Sequence, residues 1–151
     1  MDISSPGPPR VIAEGRTPEA AEWRVETFGH GGEMSVILTT VFPDGRRDSG
    51  GMGGGGISGG TTMAVYHGKG EGTPLSILCR TKPIVSRVRI VTTDRHPERL
   101  LEPVATLPGP GEKVFVAVLP PGIDFVNAYA LNDAGDTLGQ HAPRRPGPGR
   151  E

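Results

Sequence analysis

The 151-residue chain is short of cysteine, of charge of one sign, of long apolar runs and of helical periodicity. Its single cysteine, Cys79, excludes an intrachain disulfide, the usual staple of small secreted domains. Sixteen basic against 17 acidic residues leave a net charge of −1, so the whole surface cannot act as an electrostatic polyanion binder, and no nucleic-acid partner is expected. No apolar run approaches the roughly 20 residues of a membrane-spanning helix. The first ten residues, Met1 to Arg10, lack a basic region followed by an apolar one, so they are not a secretory signal. With the lone cysteine, this makes the cytoplasm the expected location. No segment holds the i, i+3, i+4, i+7 apolar pattern over three turns, which argues against a helical domain.

Glycine and proline are abundant: 24 and 16 residues, together about a quarter of the chain. They gather at the ends and in one internal run. Residues 1–20 carry Pro6, Pro8, Pro9 and Pro18 among scattered apolar residues, too few to offset the entropy of ordering. They read as an unordered N-terminal segment, and 141–151 as an unordered basic Pro/Gly tail. Between them, 21–140 is long enough for one domain, with a Gly-rich loop at 46–60.

That middle is strand-like. Trp23, Val25 and Phe28 open a first strand, with the alternation slipping by one at Phe28. Met34, Val36, Leu38, Thr40 and Phe42 alternate with Ser35, Ile37, Thr39 and Val41, period-two patterning of a central strand. Pro43-Asp44-Gly45 is a turn signal. Further strands follow at Met63–Tyr66, Leu75–Cys79, Ile84–Thr92, Val114–Leu119, Ile123–Leu131 and near Leu138, while His96–Glu102 reads as one helical turn stopped by Pro103. Seven or eight short strands with Gly/Pro turns predict an all-β fold: a single antiparallel β-sandwich, immunoglobulin-like or related. The predicted core is Trp23, Val25, Val36, Leu38, Phe42, Val65, Ile77, Val88, Ile90, Val116, Val118, Val126 and Ala128.

Three stretches, Thr81–Val91, Val114–Pro120 and Val126–Gly135, resemble strands of uncharacterised actinobacterial β-sandwich proteins. The shared features are a P-x-V-x-x-V-x-V strand, an F-V-x-x-L-P strand and a terminal V-x-A-x-D-x-x-G hairpin. The likeness spans roughly 23–138 and departs at Asn132-Asp133 and at Thr93-Asp94-Arg95. It implies a fold and no activity, and it transfers no site residue.

Several strings have chemical look-alikes. Gly54-x-Gly56-x-x-Gly59 matches a dinucleotide fingerprint, but a strand pattern follows it where a helix is required. Gly56-Ile-Ser58-Gly-Gly60 matches a nucleophile elbow without the strand and helix that strain one, although Asp94 and His141 follow in hydrolase order. His30, His67, His96 and His141 do not sit at metal-ligand spacing with each other or with Cys79, so no metal is expected, and no cofactor. Asn132–Asp136 lacks the acids of a calcium loop and reads as a hairpin turn. Cys79, alternating with Leu75 and Ile77, reads as a core residue. Pro6–Pro9 and Pro143–Pro146 suit polyproline II but need no partner as free ends.

The most basic stretch runs from Arg80 to Arg99. Within it Arg87 and Arg89 alternate with Val88 and Ile90, so both guanidinium groups share one strand face. Two planar, always-charged forks in register suit a carboxylate or phosphate pair. No aromatic residue is interleaved to stack bases. The competing reading is a solvated face with cross-strand ion pairs to Glu26, Glu33 or Glu112. Three function classes stay open: a non-catalytic β-sandwich that binds or scaffolds another protein, which the residues favour; a small-ligand or anion binder using Arg87 and Arg89; and an enzyme with dispersed site residues.

Overall fold

A computed structural model of the chain describes residues 10–18, 21–30, 33–52, 62–69, 72–94, 99–107 and 111–141. The described residues form twelve strands and no helix. An N-terminal sheet is a meander of β1 (Arg10–Arg16), β2 (Glu22–His30), β3 (Glu33–Val41) and β4 (Arg47–Met52), in that order. A central sheet runs β5-β6-β10-β9, from β5 (Met63–Gly68), β6 (Leu75–Thr81), β10 (Lys113–Leu119) and β9 (Ala105–Thr106). A C-terminal sheet runs β12-β11-β7-β8, from β12 (Thr137–His141), β11 (Phe125–Leu131), β7 (Arg87–Thr92) and β8 (Arg99–Leu101). Every pairing is antiparallel.

Three sheets stand where two layers were expected. The middle one is covered on both faces, which the pleat of β6 makes plain: all seven of its residues are buried. Leu75, Ile77 and Cys79 point into a core shared with Val88, Ile90, Ala128 and Ala130 of the C-terminal sheet. Leu78, on the alternate face, joins Val25, Val36 and Leu38 of the N-terminal sheet. The same split divides β10: Phe115 and Ala117 face one way, Val114 and Val116 the other. At roughly 25 cal/mol per Å² of apolar surface, neither outer sheet could stay folded with its inner face in water.

Several strands were not expected. Arg10–Arg16, assigned above to an unordered segment, is β1: it pairs with β2, packs Ile12 and Ala13 on the inner core, and lays Gly15 under the Trp23 indole. A Cβ on Gly15 would lie 2.6 Å from that ring, so glycine here serves packing. Residues 47–52 of the expected Gly-rich loop form β4. Its glycines are demanded by close approach, since a Cβ on Gly50 would meet the Tyr66 ring at 2.1 Å and one on Gly51 the Val36 carbonyl at 2.0 Å. Arg99–Leu101 is β8 rather than part of a helical turn, drawn out by pairing with Val88–Ile90. Residues 1–9, 19–20 and 142–151 of the two end segments, with 53–60 and 95–98, lie outside the described residues.

The predicted core is recovered at Val25, Val36, Leu38, Phe42, Ile77, Val88, Ile90, Val116 and Ala128, with Trp23, Val65 and Val118 packed at its margins. Val126 is the exception, 43% exposed: the ladder slips between Phe125 and Asn127 and turns it outward. The alternation read as slipping at Phe28 does not slip, because β2 and β3 pair in continuous register to Gly29–Met34 and Phe28 faces outward. Both turn signals act as read. Gly45 and Gly135 take φ of 91° and 88°, and the Asp44 and Asn132 side chains accept backbone N–H bonds from Arg46 and from Ala134 and Asp136. Hydrogen bonds from the Arg46 backbone and side chain hold the Asp44 carboxyl below the usual carboxylate range.

Candidate binding surfaces

The alternation that buries Val88 and Ile90 turns Arg87 and Arg89 to the outer face of the C-terminal sheet. The register supplies their neighbours. Arg89 lies between Leu100 on β8 and Tyr129 on β11, and Tyr129 lies beside Gln140 on β12. One row thus crosses all four strands: Leu100, Arg89, Tyr129, Gln140. The Arg89 guanidinium stacks on the Tyr129 ring at 4.4 Å, and Asn127 Nδ2 donates to the Tyr129 hydroxyl at 3.2 Å. Leu100 is 50% exposed at the end of the row.

Arg87 is held differently. Its Nε donates to Glu102 at 2.9 Å, with both side chains more than half exposed. Of the three acids considered for cross-strand pairing, Glu112 is engaged elsewhere, Glu26 lies 3.5 Å from Arg24, and the Glu33 side chain is outside the described set. Sequence reasoning missed Glu102, because the turn expected at 96–102 hid a strand that brings it beside Arg87. The two guanidinium groups share a face, as the spacing required, but one is ion-paired and the other stacked. Next along the sheet, Arg99 grips Asp94 with two nitrogens and bonds the Thr92 hydroxyl at 2.7 Å.

The outer face of the N-terminal sheet offers a second surface, a groove of about 530 Å³ lined by Glu14, Arg16, Glu22, Arg24, Thr39 and Arg47 among others. Its charges alternate. Glu14 opposes Arg24 and Arg16 opposes Glu22 across β1 and β2, with a 2.5 Å Arg16–Glu22 ion pair. A smaller apolar cleft of about 240 Å³ lies between Phe42, Pro43, Pro74 and Pro121 at the end of the layers.

Of the residues considered for catalysis, Gly54, Gly56, Ser58, Gly59 and His96 lie outside the described residues, as does the His141 side chain. The His67 ring packs on Phe125 with centroids 4.6 Å apart. Cys79 is fully buried and its thiol is pushed up to about 12 by desolvation, so it behaves as a core side chain and not as a nucleophile. Among the described residues no three His, Cys, Asp or Glu side chains converge as a metal site would require, and no helix is long and apolar enough to cross a membrane. Comparison with family models, curated proteins and solved structures finds no significant match.

Proposed function

We propose that the protein is a non-catalytic interaction module, and that its central and C-terminal sheets together are an immunoglobulin-like sandwich. The support for the fold is strand order. Taking β5 to β12 as A, B, C, C′, D, E, F and G, the central sheet reads A-B-E-D and the C-terminal sheet G-F-C-C′, the arrangement of that fold class. Cys79 then stands on strand B facing the core, and strand F brings Ala128 and Ala130 to the same core where antibody domains carry a second cysteine.

The observation that carries the function is the row Leu100–Arg89–Tyr129–Gln140. Interface hot spots are rich in Tyr and Arg, held rigid and bordered by apolar contact. The stack on Tyr129 fixes the Arg89 plane before a partner arrives, which reduces the entropy lost on binding. The rival small-anion reading is weakened by Glu102, which already neutralises Arg87.

The test uses a partner captured from native lysate, then purified and titrated against variants. Arg89→Gln and Tyr129→Ala are expected to cut affinity roughly tenfold or more each, and Arg87→Gln to act mainly through the salt dependence. Full affinity in both of the first two variants overturns the assignment of this face. A melting shift with phosphate or citrate that vanishes in Arg87→Gln/Arg89→Gln supports the anion reading instead.

A further inference from the structure

We infer that the open edge of β1 pairs with β1 of a second copy, joining two N-terminal sheets into one eight-stranded sheet. β1 ends its sheet, so its outer backbone groups have no strand partner among the described residues, and such an edge is a template for pairing. At the sheet's other end β4 lies against the central sheet, with the face of Gly50 beneath the Tyr66 ring.

The backbone fixes which residues can pair. The Thr17 N–H donates to the Ala21 carbonyl at 2.9 Å, continuing the β1–β2 ladder. Antiparallel bonding alternates every two residues, so Thr17, Gly15 and Ala13 turn their polar groups toward β2, and Glu14 and Arg16 turn theirs to the open edge. Across a two-fold axis, Glu14 and Arg16 must therefore pair with the partner's Glu14 or Arg16.

Side-chain charge selects among the registers. Centring the axis on Glu14 sets Glu14 against itself, and centring it on Arg16 sets Arg16 against itself. Centring it on Gly15 sets Glu14 opposite the partner's Arg16 and Arg16 opposite the partner's Glu14. Both residues lie on the outer face of the sheet and are exposed, and a cross-strand row would then read Arg24, Glu14, the partner's Arg16, the partner's Glu22, alternating in sign throughout. Gly15 at the axis brings no side chain to obstruct the approach. The β-bulge between Val11 and Ala13 limits the ladder to residues 13–17, so the dimer is weak and salt-sensitive.

Sedimentation equilibrium of the full chain tests this. The wild type is expected to dimerise at submillimolar concentration in low salt. Glu14→Arg and Arg16→Glu each create like-charge pairs twice over, because the contact is isologous, and each is expected to weaken self-association roughly tenfold or more. An equimolar mixture of the two variants restores opposite charges at both positions and is expected to dimerise again, which also shows that both are folded. Glu14→Pro, which removes an outward N–H while leaving the bonds to β2, is expected to dissociate the dimer with little change in melting temperature. A wild type that stays monomeric under these conditions, single variants that still dimerise, or a mixture that stays monomeric overturns the inference.

Discussion

The two faces of the central sheet bury two unlike cores. Toward the C-terminal sheet the packing is apolar, with Ile77, Phe115, Val88, Ile90 and the Cys79 thiol interdigitating. Toward the N-terminal sheet the apolar cluster of Val25, Val36, Leu38, Leu78 and Val114 is interrupted by polar groups. Arg80, the largest fully buried side chain among the described residues, donates through Nε to Glu112 at 2.6 Å, and its Nη1 donates to the Met34 carbonyl of β3 at 2.8 Å. Thr40 and Ser76 share a 3.1 Å hydrogen bond across the same boundary. Apolar contact is non-directional and sets only how much surface is hidden. Hydrogen bonds are directional, so Arg80 and Thr40, buried within the packing, fix where the N-terminal meander sits on the central sheet. Across the other boundary the directional contacts, Lys113 Nζ to the Val85 carbonyl at 2.9 Å and the Lys69–Asp124 ion pair, lie at the more exposed margin of an apolar core.

The contrast is broken most strongly by removing one member of the buried ion pair. Glu112→Ala leaves Arg80 charged with its principal acceptor gone, and urea unfolding is expected to show a loss of roughly 3–5 kcal/mol. Adding Arg80→Met is expected to recover most of that loss, because the charge leaves with its partner. Ile77→Ala, on the apolar side of the sheet, is expected to cost about 2–5 kcal/mol with no comparable rescue by a neighbouring change. A double variant no more stable than Glu112→Ala erases the distinction between the two cores.

A smaller effect is expected at the seam between the N-terminal and central sheets. Gly50→Ala forces its Cβ against the Tyr66 ring and should destabilise by about 1–3 kcal/mol in the same assay. An unchanged melting temperature would mean that Tyr66 swings away freely. The phenol is itself raised above its ordinary value by burial, with the nearby Asp48 charge adding to the effect.

The smallest effect near neutrality comes from Cys79. Its folded value is raised from 9.0 to about 12, so the folded state holds the thiol proton more tightly than the unfolded chain. The resulting stabilisation is complete below pH 9 and is lost as the pH rises through the interval up to about 12. At pH 8 a thiol reagent is expected to label Cys79 only as fast as the chain opens. Rapid labelling of the native protein would place the thiol at an accessible surface.

Strand periodicity was legible wherever one face is apolar and the other polar. Val36 and Leu38, Ile77 and Cys79, and Val88 and Ile90 declared their strands and their inward faces. The shared face of Arg87 and Arg89 was legible by the same rule. β1, β4 and β8 were not, because composition speaks for a residue's own tendency and not for its neighbour. Gly15, Gly50 and Gly51 look like linker until Trp23, Tyr66 and the Val36 carbonyl are laid over them. Arg80 looked like one more basic surface residue in a basic stretch. Glu112, 32 residues away, is what makes its burial tolerable.

The sequence by itself determined the class of structure and the inward face of most strands, because a two-residue period is a local property that each strand carries alone. It also determined the turns, since Asp44-Gly45 and Asn132–Gly135 satisfy their own backbone through side chains only a few residues away. Only the tertiary structure decided that the described strands form three sheets, that the central one is buried on both faces, and that Arg89 stacks on Tyr129 while Arg87 meets Glu102. Each of those depends on pairing between distant segments. The free energy of such pairing resides in contacts that no single stretch of the chain contains.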